Sequence, residues 1–156
     1  MNDLEVQMIN LEAMHVVVAT GYGTDPENEA WSEILEFATD HDLDPWDQTH
    51  RFFGFNDPDP EPIDSDYGYE QWMTVSTEVE VVPPLKTRDV DGGRYAMVRI
   101  HGLDTIGDSW RYLADWCKEH GYQIDTDRDP CLEELLTPVE YSPTQWDMNL
   151  YLAVAN

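Results

Sequence analysis

The pattern of apolar and polar residues predicts the same order of elements in each half of the chain. In the first half, a short β-branched run at residues 14–19 predicts a strand, and apolar residues at helical spacing predict a helix from Asp25-Pro26-Glu27 to His41-Asp42. Two more strands are predicted at residues 51–55 and 69–75. The prolines and short polar side chains between them, from Asn56 to Pro62, exclude regular structure.

The second half repeats this order of strand, helix, strand, strand. A strand is predicted at residues 95–100, and a helix opens near Asp104-Thr105 and ends at Gly121. A short strand around 131–135, a turn-rich loop at 137–144 and a strand at 148–154 complete the half. Each helix has one apolar face. These faces comprise Trp31, Ile34, Leu35 and Ala38 in the first helix, and Ile106, Trp110, Leu113, Ala114 and Cys117 in the second.

A constant spacing between matching residues of the two halves indicates an internal duplication. Pairs that lie 79 positions apart include Gly23 and Gly102, Trp31 and Trp110, Ile34 and Leu113, Ala38 and Cys117, Asp42 and Gly121, Trp72 and Tyr151, and Val75 and Val154. We therefore predict a single domain over residues 1–156, with one repeat at about 4–75 and a second at about 92–154. The intervening residues 76–91 contain Pro83-Pro84, which predicts an extended connector.

The duplication predicts an α+β fold. Neither β-α-β-β unit can bury its apolar helix face alone, so we expect the units to form antiparallel sheet with both helices on one side. We also expect a ligand cleft at the pseudo-two-fold axis, because pockets favour such interfaces. Residues two apart on a strand share a face, which places Glu70 with Trp72 and Asn149 with Tyr151. The candidate ligand-binding residues on these strands are Tyr69, Glu70, Trp72, Trp146, Asn149 and Tyr151.

The chain is strongly acidic, with 33 Asp and Glu residues against 8 Lys and Arg and a formal net charge of −25. No cluster of basic residues is present, so direct binding to nucleic acid is not expected. Three explanations for the acidity stay open: a solvated surface adapted to high salt, a field that attracts cationic ligands, and imitation of DNA toward a DNA-binding enzyme. A solvated surface is the simplest of these.

Cysteine, histidine and hydropathy patterns predict neither a metal site nor a cofactor. Cys117 and Cys131 are too few for a disulfide scaffold, and the five histidines lack the spacing of metal ligands or of a catalytic triad. The acidic clusters at residues 40–44 and 57–61 do not follow a calcium-binding loop, and no phosphate-binding glycine loop occurs. No apolar run reaches about 18 residues and no signal peptide is recognisable, so we expect a cytoplasmic protein without membrane partners.

Ordered motifs along the chain resemble the GyrI-like small-molecule-binding family. They are residues 53–59 (FGFNDPD), 69–75 (YEQWMTV), 92–96 (GGRYA), 130–133 (PCLE) and 148–154 (MNLYLAV). The family includes DNA gyrase inhibitory proteins and the effector-binding domains of multidrug-responsive transcription activators. The resemblance extends from about Leu4 to Val154 and implies the duplicated fold.

The resemblance also implies a binding site. Members of the family use a glutamate on the penultimate strand, in an aromatic cavity between the halves, to bind lipophilic cations, and Glu133 matches that position. The sequence departs from the pattern at Leu135, where the family has tyrosine, and at Ala153, where it has proline. Glu133 falls opposite Gly54 in the repeat, which suits a ligand with one charged end. Rings of Trp72, Tyr151 or Trp110 could add cation–π attraction.

Three functions follow as alternatives. The first is a stand-alone binding protein for lipophilic, cationic small molecules. The second is a hydrolase of strained cyclopropane-type electrophiles, in which Glu133 acts as general acid or base beside Tyr151. The third is an inhibitory partner of DNA gyrase, whose basic DNA path the acidic surface would occupy.

Overall fold

A computed structural model describes residues 4–56 and 66–155, so most of the predicted irregular segment at 56–62 lies outside the described residues. The chain divides into two compact units: unit 1 comprises Met1–Ala13 and Asp91–Asn156, and unit 2 comprises Met14–Val90. The strands are β1 (Gln7–Leu11), β2 (Met14–Gly23), β3 (Phe52–Asn56), β4 (Tyr67–Thr74), β5 (Lys86–Val90), β6 (Gly93–His101), β7 (Cys131–Leu135) and β8 (Asp147–Ala153). The helices are α1 (Pro26–Asp40) and α2 (Ile106–Glu119), with short 3₁₀ turns at Leu103–Thr105 and Pro143–Gln145.

Each unit contains one helix and four antiparallel strands. The strand order is β3-β4-β2-β5 in unit 2 and β1-β6-β8-β7 in unit 1. The α+β fold with antiparallel sheet and two helices is therefore as the sequence predicts.

The strand registers confirm the duplication. Val18 pairs with Trp72 in unit 2, and Met97 pairs with Tyr151 in unit 1. Met97 lies 79 positions after Val18, and Tyr151 lies 79 positions after Trp72. The same displacement relates the β3–β4 register to the β7–β8 register, where Phe53 opposite Trp72 becomes Leu132 opposite Tyr151. A duplication that had drifted by one residue would have turned these side chains to the other face.

The two helices occupy equivalent positions in their units and differ in how they pack. Ile34 of α1 and its counterpart Leu113 of α2 are fully buried. Trp31 is buried, but Trp110 is only half-buried. The predicted inward residues Leu35, Ile106 and Ala114 are also half-buried. At the start of α1, Asp25 occupies the N-cap position without a side-chain capping hydrogen bond, and Pro26 fills the first turn.

Two edge strands were not predicted. β5 lies within the segment expected to be a connector and pairs with β2, and β1 lies within the predicted first repeat yet pairs with β6 of unit 1. Their sequences, QMINL and KTRDV, each bury a single residue. An edge strand with one buried side chain lacks the apolar alternation from which a strand is predicted.

Candidate functional site

The β7–β8 pair of unit 1 has two chemically different faces. Glu133 lies opposite Leu150, and the next residue, Glu134, lies opposite Asn149. Because successive strand residues point to opposite faces, these two adjacent carboxylates point in opposite directions. Glu134 shares its face with Tyr151.

Glu133 lies on the face of the sheet that packs against α2. The indole Nε1 of Trp110, on α2, donates a hydrogen bond to Glu133 Oε2 at 3.3 Å. Both side chains are half-buried. Glu133 is therefore a carboxylate beside an aromatic ring that has lost part of its hydration, which is the environment in which a cationic ligand is favoured.

Glu134 belongs to a buried hydrogen-bonded cluster on the opposite face. The hydroxyl of Tyr151 donates to Glu134 Oε1 at 2.6 Å, and Asn149 Nδ2 donates to the same oxygen at 3.2 Å. Arg99 Nε in turn donates to Asn149 Oδ1. Glu134 is 4% exposed and Tyr151 is 2% exposed, so these two side chains are shielded from water, whereas Arg99 at the end of the cluster is exposed. Such a network stabilises the position of each member.

The equivalent face of unit 2 carries an acid and an indole. Trp72 Nε1 donates to Glu70 Oε1 at 2.7 Å, and Arg88 forms an ion pair with the same oxygen at 3.2 Å. The Arg88 guanidinium lies 5.1 Å from the Trp72 ring centroid, and the Phe55 ring meets Trp72 edge-on at 5.3 Å. In the repeat, Glu70 corresponds to Asn149 and Trp72 corresponds to Tyr151, because the members of each corresponding pair are 79 positions apart.

The prediction that these side chains pair along their strands is confirmed. Trp72 bonds Glu70, and Asn149 Nδ2 lies 3.2 Å from the Tyr151 hydroxyl. Tyr69 points to the other face from Trp72, where a Cβ on Gly54 would lie 2.2 Å from the Tyr69 hydroxyl. Trp146 precedes β8 and donates to the Tyr141 carbonyl at 3.0 Å. These contacts are separate from the hydrogen bonds that Glu70 accepts from Trp72 and that Glu134 accepts from Tyr151.

The pairing of Glu133 with Tyr151, on which the hydrolase alternative was based, is wrong. Leu132 is the residue opposite Tyr151, so Glu133 points away from its hydroxyl. Glu134 takes the place beside the phenol. The sequence alone predicts that Asn149 and Tyr151 share a face of the sheet. It does not predict that Glu134 lies on that face, because this depends on the register between β7 and β8.

Tyr95 contacts both the Tyr151 ring and the positively charged guanidinium of Arg128. Its ring packs edge-on against Tyr151 with 5.9 Å between ring centroids. Burial raises the pKa of the Tyr95 hydroxyl, and the nearby Arg128 opposes this increase. The Arg128 guanidinium lies 4.3 Å from the Tyr95 ring centroid and forms an ion pair with Asp125 at 3.0 Å. Its bonds to the carbonyls of Arg94 and Val154 connect β6 to the residue after β8.

Residues 4–56 and 66–155 contain neither a candidate metal cluster nor a candidate membrane-spanning helix. Among these residues, no group of three or more His, Cys, Asp and Glu side chains is arranged to hold a metal ion. No helix in the described part of the chain has the length and apolar character needed to cross a membrane.

Several solved structures share the fold of this chain at low sequence identity. The EcmrR–DNA complex matches with a TM-score of 0.75 and 13% identity over 97% of this chain, which spans 57% of that chain. A hydrolase from Listeria innocua matches with a TM-score of 0.71 and 11% identity, covering 97% of this chain and 92% of that one. SAV2435 bound to tetraphenylphosphonium matches with a TM-score of 0.57 and 10% identity, covering 97% and 94%.

Sequence comparison finds no curated protein that matches this chain. A family model described as the GyrI-like small molecule binding domain matches residues 4–155.

Proposed function

Because the chain belongs to the family of GyrI-like small molecule binding domains, we propose that it binds lipophilic cations and that Glu133 supplies the counter-charge. The observation that carries this proposal is the hydrogen bond from the Trp110 indole to Glu133, which places a half-buried carboxylate at the edge of an aromatic ring. SAV2435, which has the same fold, is described bound to tetraphenylphosphonium, a cation of this class.

The electrostatic argument depends on partial burial. A carboxylate that loses hydration gains from a positive partner, and an indole adds about 0.5 to 2 kcal/mol of cation–π attraction when the cation lies over its face. The formal net charge of −25 adds a long-range field that raises the local concentration of cations. A neutral molecule of the same shape gains the apolar contacts alone.

Glu134 provides a matched control because it is the adjacent acid on the same strand. Its carboxylate is buried and accepts hydrogen bonds from Tyr151 and Asn149, so its role in this proposal is structural. Replacing Glu134 by Gln removes the same charge from the chain as replacing Glu133 by Gln. The two variants therefore separate a local counter-charge from the general acidic field.

The first prediction is that Glu133→Gln weakens the binding of methyltriphenylphosphonium about tenfold or more, which corresponds to the roughly 1.5 to 3 kcal/mol of a charge-assisted interaction. The neutral analogue triphenylphosphine oxide should lose less than about twofold in affinity. Isothermal titration calorimetry on both ligands measures this difference. Glu134→Gln should lower the melting temperature and keep the preference for the cation.

Equal losses for the cation and the neutral ligand in Glu133→Gln would contradict the proposal, as would loss of the preference in Glu134→Gln alone. Salt-sensitive binding to DNA gyrase without any small molecule would instead favour the gyrase-inhibitor alternative.

Hydrolysis is the second candidate function. It is favoured by the 2.6 Å hydrogen bond from the Tyr151 phenol to the Glu134 carboxylate, a buried pair that could exchange a proton with a substrate once the cluster opens to admit it. Turnover of a cyclopropane-bearing electrophile, followed by mass spectrometry, tests it. Loss of turnover in Tyr151→Phe with unchanged ligand binding would support hydrolysis, and absence of turnover in the unmodified protein would reject it.

A further inference from the structure

Arg88 occupies, within unit 2, the position that a cationic ligand would take beside an acid and an aromatic ring. Its guanidinium lies 3.2 Å from Glu70 and 5.1 Å from the Trp72 ring centroid. We propose that Glu70 and Trp72 form a second site for organic cations, that Arg88 fills this site from within the chain, and that only ligands able to replace its positive charge can enter.

The strand register explains how these three side chains meet. Arg88 of β5 lies opposite Val16 of β2, and Trp72 of β4 lies opposite Val18. Val16 and Val18 are two residues apart on one strand, so Arg88 and Trp72 share a face of the sheet. Glu70 is two residues before Trp72 and lies on the same face.

Differences in exposure between the acid and the arginine make the arrangement reversible. The Glu70 side chain is 9% exposed and the Arg88 side chain is 41% exposed. A half-exposed side chain on an edge strand has room to rotate into solvent. The glutamate cannot follow, because Trp72 holds it by a 2.7 Å hydrogen bond and is itself fully buried.

This asymmetry produces selectivity for cations. When Arg88 leaves, a buried carboxylate loses its counter-charge, which is strongly unfavourable. A cation that takes the vacated place restores the charge pair and the cation–π contact, whereas a neutral molecule of the same shape restores neither. Arg88 therefore rejects neutral ligands without contacting them.

Arg88 also competes with every ligand at a high effective concentration, because it is attached to the chain. Tethered groups compete at about millimolar concentration or above. Small cations at lower concentration should leave the site unchanged, and a successful ligand needs apolar contacts in addition to its charge.

Unit 1 carries different side chains at the equivalent positions. The repeat relates Glu70 to Asn149, which has no negative charge. In unit 2, Arg88 lies opposite Val16. The repeat relates Val16 to Tyr95 of unit 1, and the residue opposite Tyr95 is Ile9 of β1. An acid and an arginine in unit 2 thus correspond to an amide and an aliphatic residue in unit 1.

The second prediction is that removing Arg88 creates a site for a small guanidinium ion. Arg88→Ala should be stabilised by millimolar methylguanidinium, with a saturable rise in melting temperature of roughly 3 to 6 °C at about ten times the dissociation constant. Methylurea, which is nearly isosteric and neutral, should give no saturable rise. The unmodified protein should respond to neither compound, because Arg88 fills the site.

Two further variants provide the controls. Arg94 also lies over an aromatic ring, 5.3 Å from the Tyr122 centroid. In Arg94→Ala, methylguanidinium should therefore give no saturable stabilisation, because cation–π attraction without a buried acid is too weak to bind it. The double variant Glu70→Gln with Arg88→Ala should lose the response of Arg88→Ala.

Equal stabilisation by methylguanidinium and methylurea would overturn the proposal, as would a response that survives in the double variant or no response in a folded Arg88→Ala. If Arg88→Ala does not fold, Arg88→Gln tests the same preference with guanidinium and urea, and absence of a preference there also overturns it. All these variants retain Glu133 and the probes lack a lipophilic body. This experiment can therefore fail independently of the proposed binding at Glu133.

Discussion

Glu33 shows how local charge and burial act on a single residue. It lies on α1, four positions after Glu29 and three before Glu36, and with Phe37, Asp40 and Pro83 it lines a surface groove of about 320 Å³. Partial burial raises the pKa of Glu33, and repulsion from Glu29 and Glu36 raises it further. The charged form is therefore less favourable in the folded state than in the unfolded chain.

The sign of the pH effect follows from this raised pKa. The folded protein binds the Glu33 proton more tightly than the unfolded chain does, so this residue favours folding when protonated at low pH and opposes it once it ionises. The third prediction is that Glu33→Gln raises the melting temperature at pH 7, and that the gain disappears as the pH falls below the unfolded pKa of about 4.3. Thermal unfolding of both proteins between pH 3.5 and pH 7 measures the difference.

A gain from Glu33→Gln that is the same at every pH would show that the amide improves packing and that charge is not the cause. Glu12→Gln is a suitable control because Glu12 is exposed and lies outside the helix. Its effect on melting temperature should be smaller at each pH.

Residue-level chemistry was only partly predictable from the sequence. The side-chain alternation of a strand was sufficient to place Glu70 with Trp72, and the hydrogen bond between them agrees. It was not sufficient to choose between Glu133 and Glu134 as the partner of Tyr151, because that choice depends on the register between two strands separated by a turn-rich loop. Arg88 was missed because it lies on an edge strand that the sequence did not reveal.

The ends of the two helices offer a comparison within one chain. The residue after the C-cap is Asp42 for α1, with φ 55°, and Gly121 for α2, with φ 79°. The next amide bonds back to the helix in both cases, from Leu43 to Ala38 and from Tyr122 to Cys117. The same left-handed turn is thus made by an aspartate in one unit and by a glycine in the other.

The fourth prediction uses this difference. Asp42→Gly should increase the free energy of unfolding by about 0.5 to 1 kcal/mol, since it relieves the left-handed strain and removes a negative charge from the negative end of the helix dipole. Gly121→Ala should decrease it by about 1 kcal/mol. A Cβ on Gly121 would meet no atom within 4 Å, so its cost comes from the backbone alone. Urea unfolding of both variants gives the two values, and opposite signs are required.

Among the helices and strands, the ones with a strong apolar pattern were predictable from the sequence. Residues 16–19 of β2 are all buried, and α1 and α2 each have a clear apolar face, so these elements have the periodicity that burial demands. β1 and β5 are held mainly by backbone hydrogen bonds to one neighbour, and their side chains show little alternation. Pairing of this kind is fixed by the tertiary structure and leaves a weak signal in the sequence.

At the scale of the whole molecule, the 79-residue repeat preserves strand register more strictly than residue identity. Core positions such as Ile34 and Leu113, or Ala38 and Cys117, are buried in both units, while the polar chemistry on the equivalent strands has diverged to Glu70 in unit 2 and Asn149 in unit 1. Burial keeps most of the core of each unit apolar, but a buried polar position can exchange one hydrogen-bonded side chain for another without loss of the fold. This freedom allows one architecture to present different charges in its two units.

The net charge of the whole chain determines the last prediction, which is that added salt stabilises the protein. The 8 Lys and Arg residues can neutralise at most 8 of the 33 acidic residues, so most acidic residues repel one another. This repulsion is stronger in the compact folded state than in the expanded unfolded chain. Salt screens this repulsion over a Debye length of about 10 Å at 0.1 M. The melting temperature should therefore rise with sodium chloride between about 0.05 and 0.5 M, and potassium chloride should act as a control for specific binding of sodium ions. Similar rises with both salts indicate screening, whereas a rise with sodium alone would indicate specific sites. A flat curve with both would show that the acidic residues are already compensated locally, and the long-range attraction of cations proposed here would lose its physical basis.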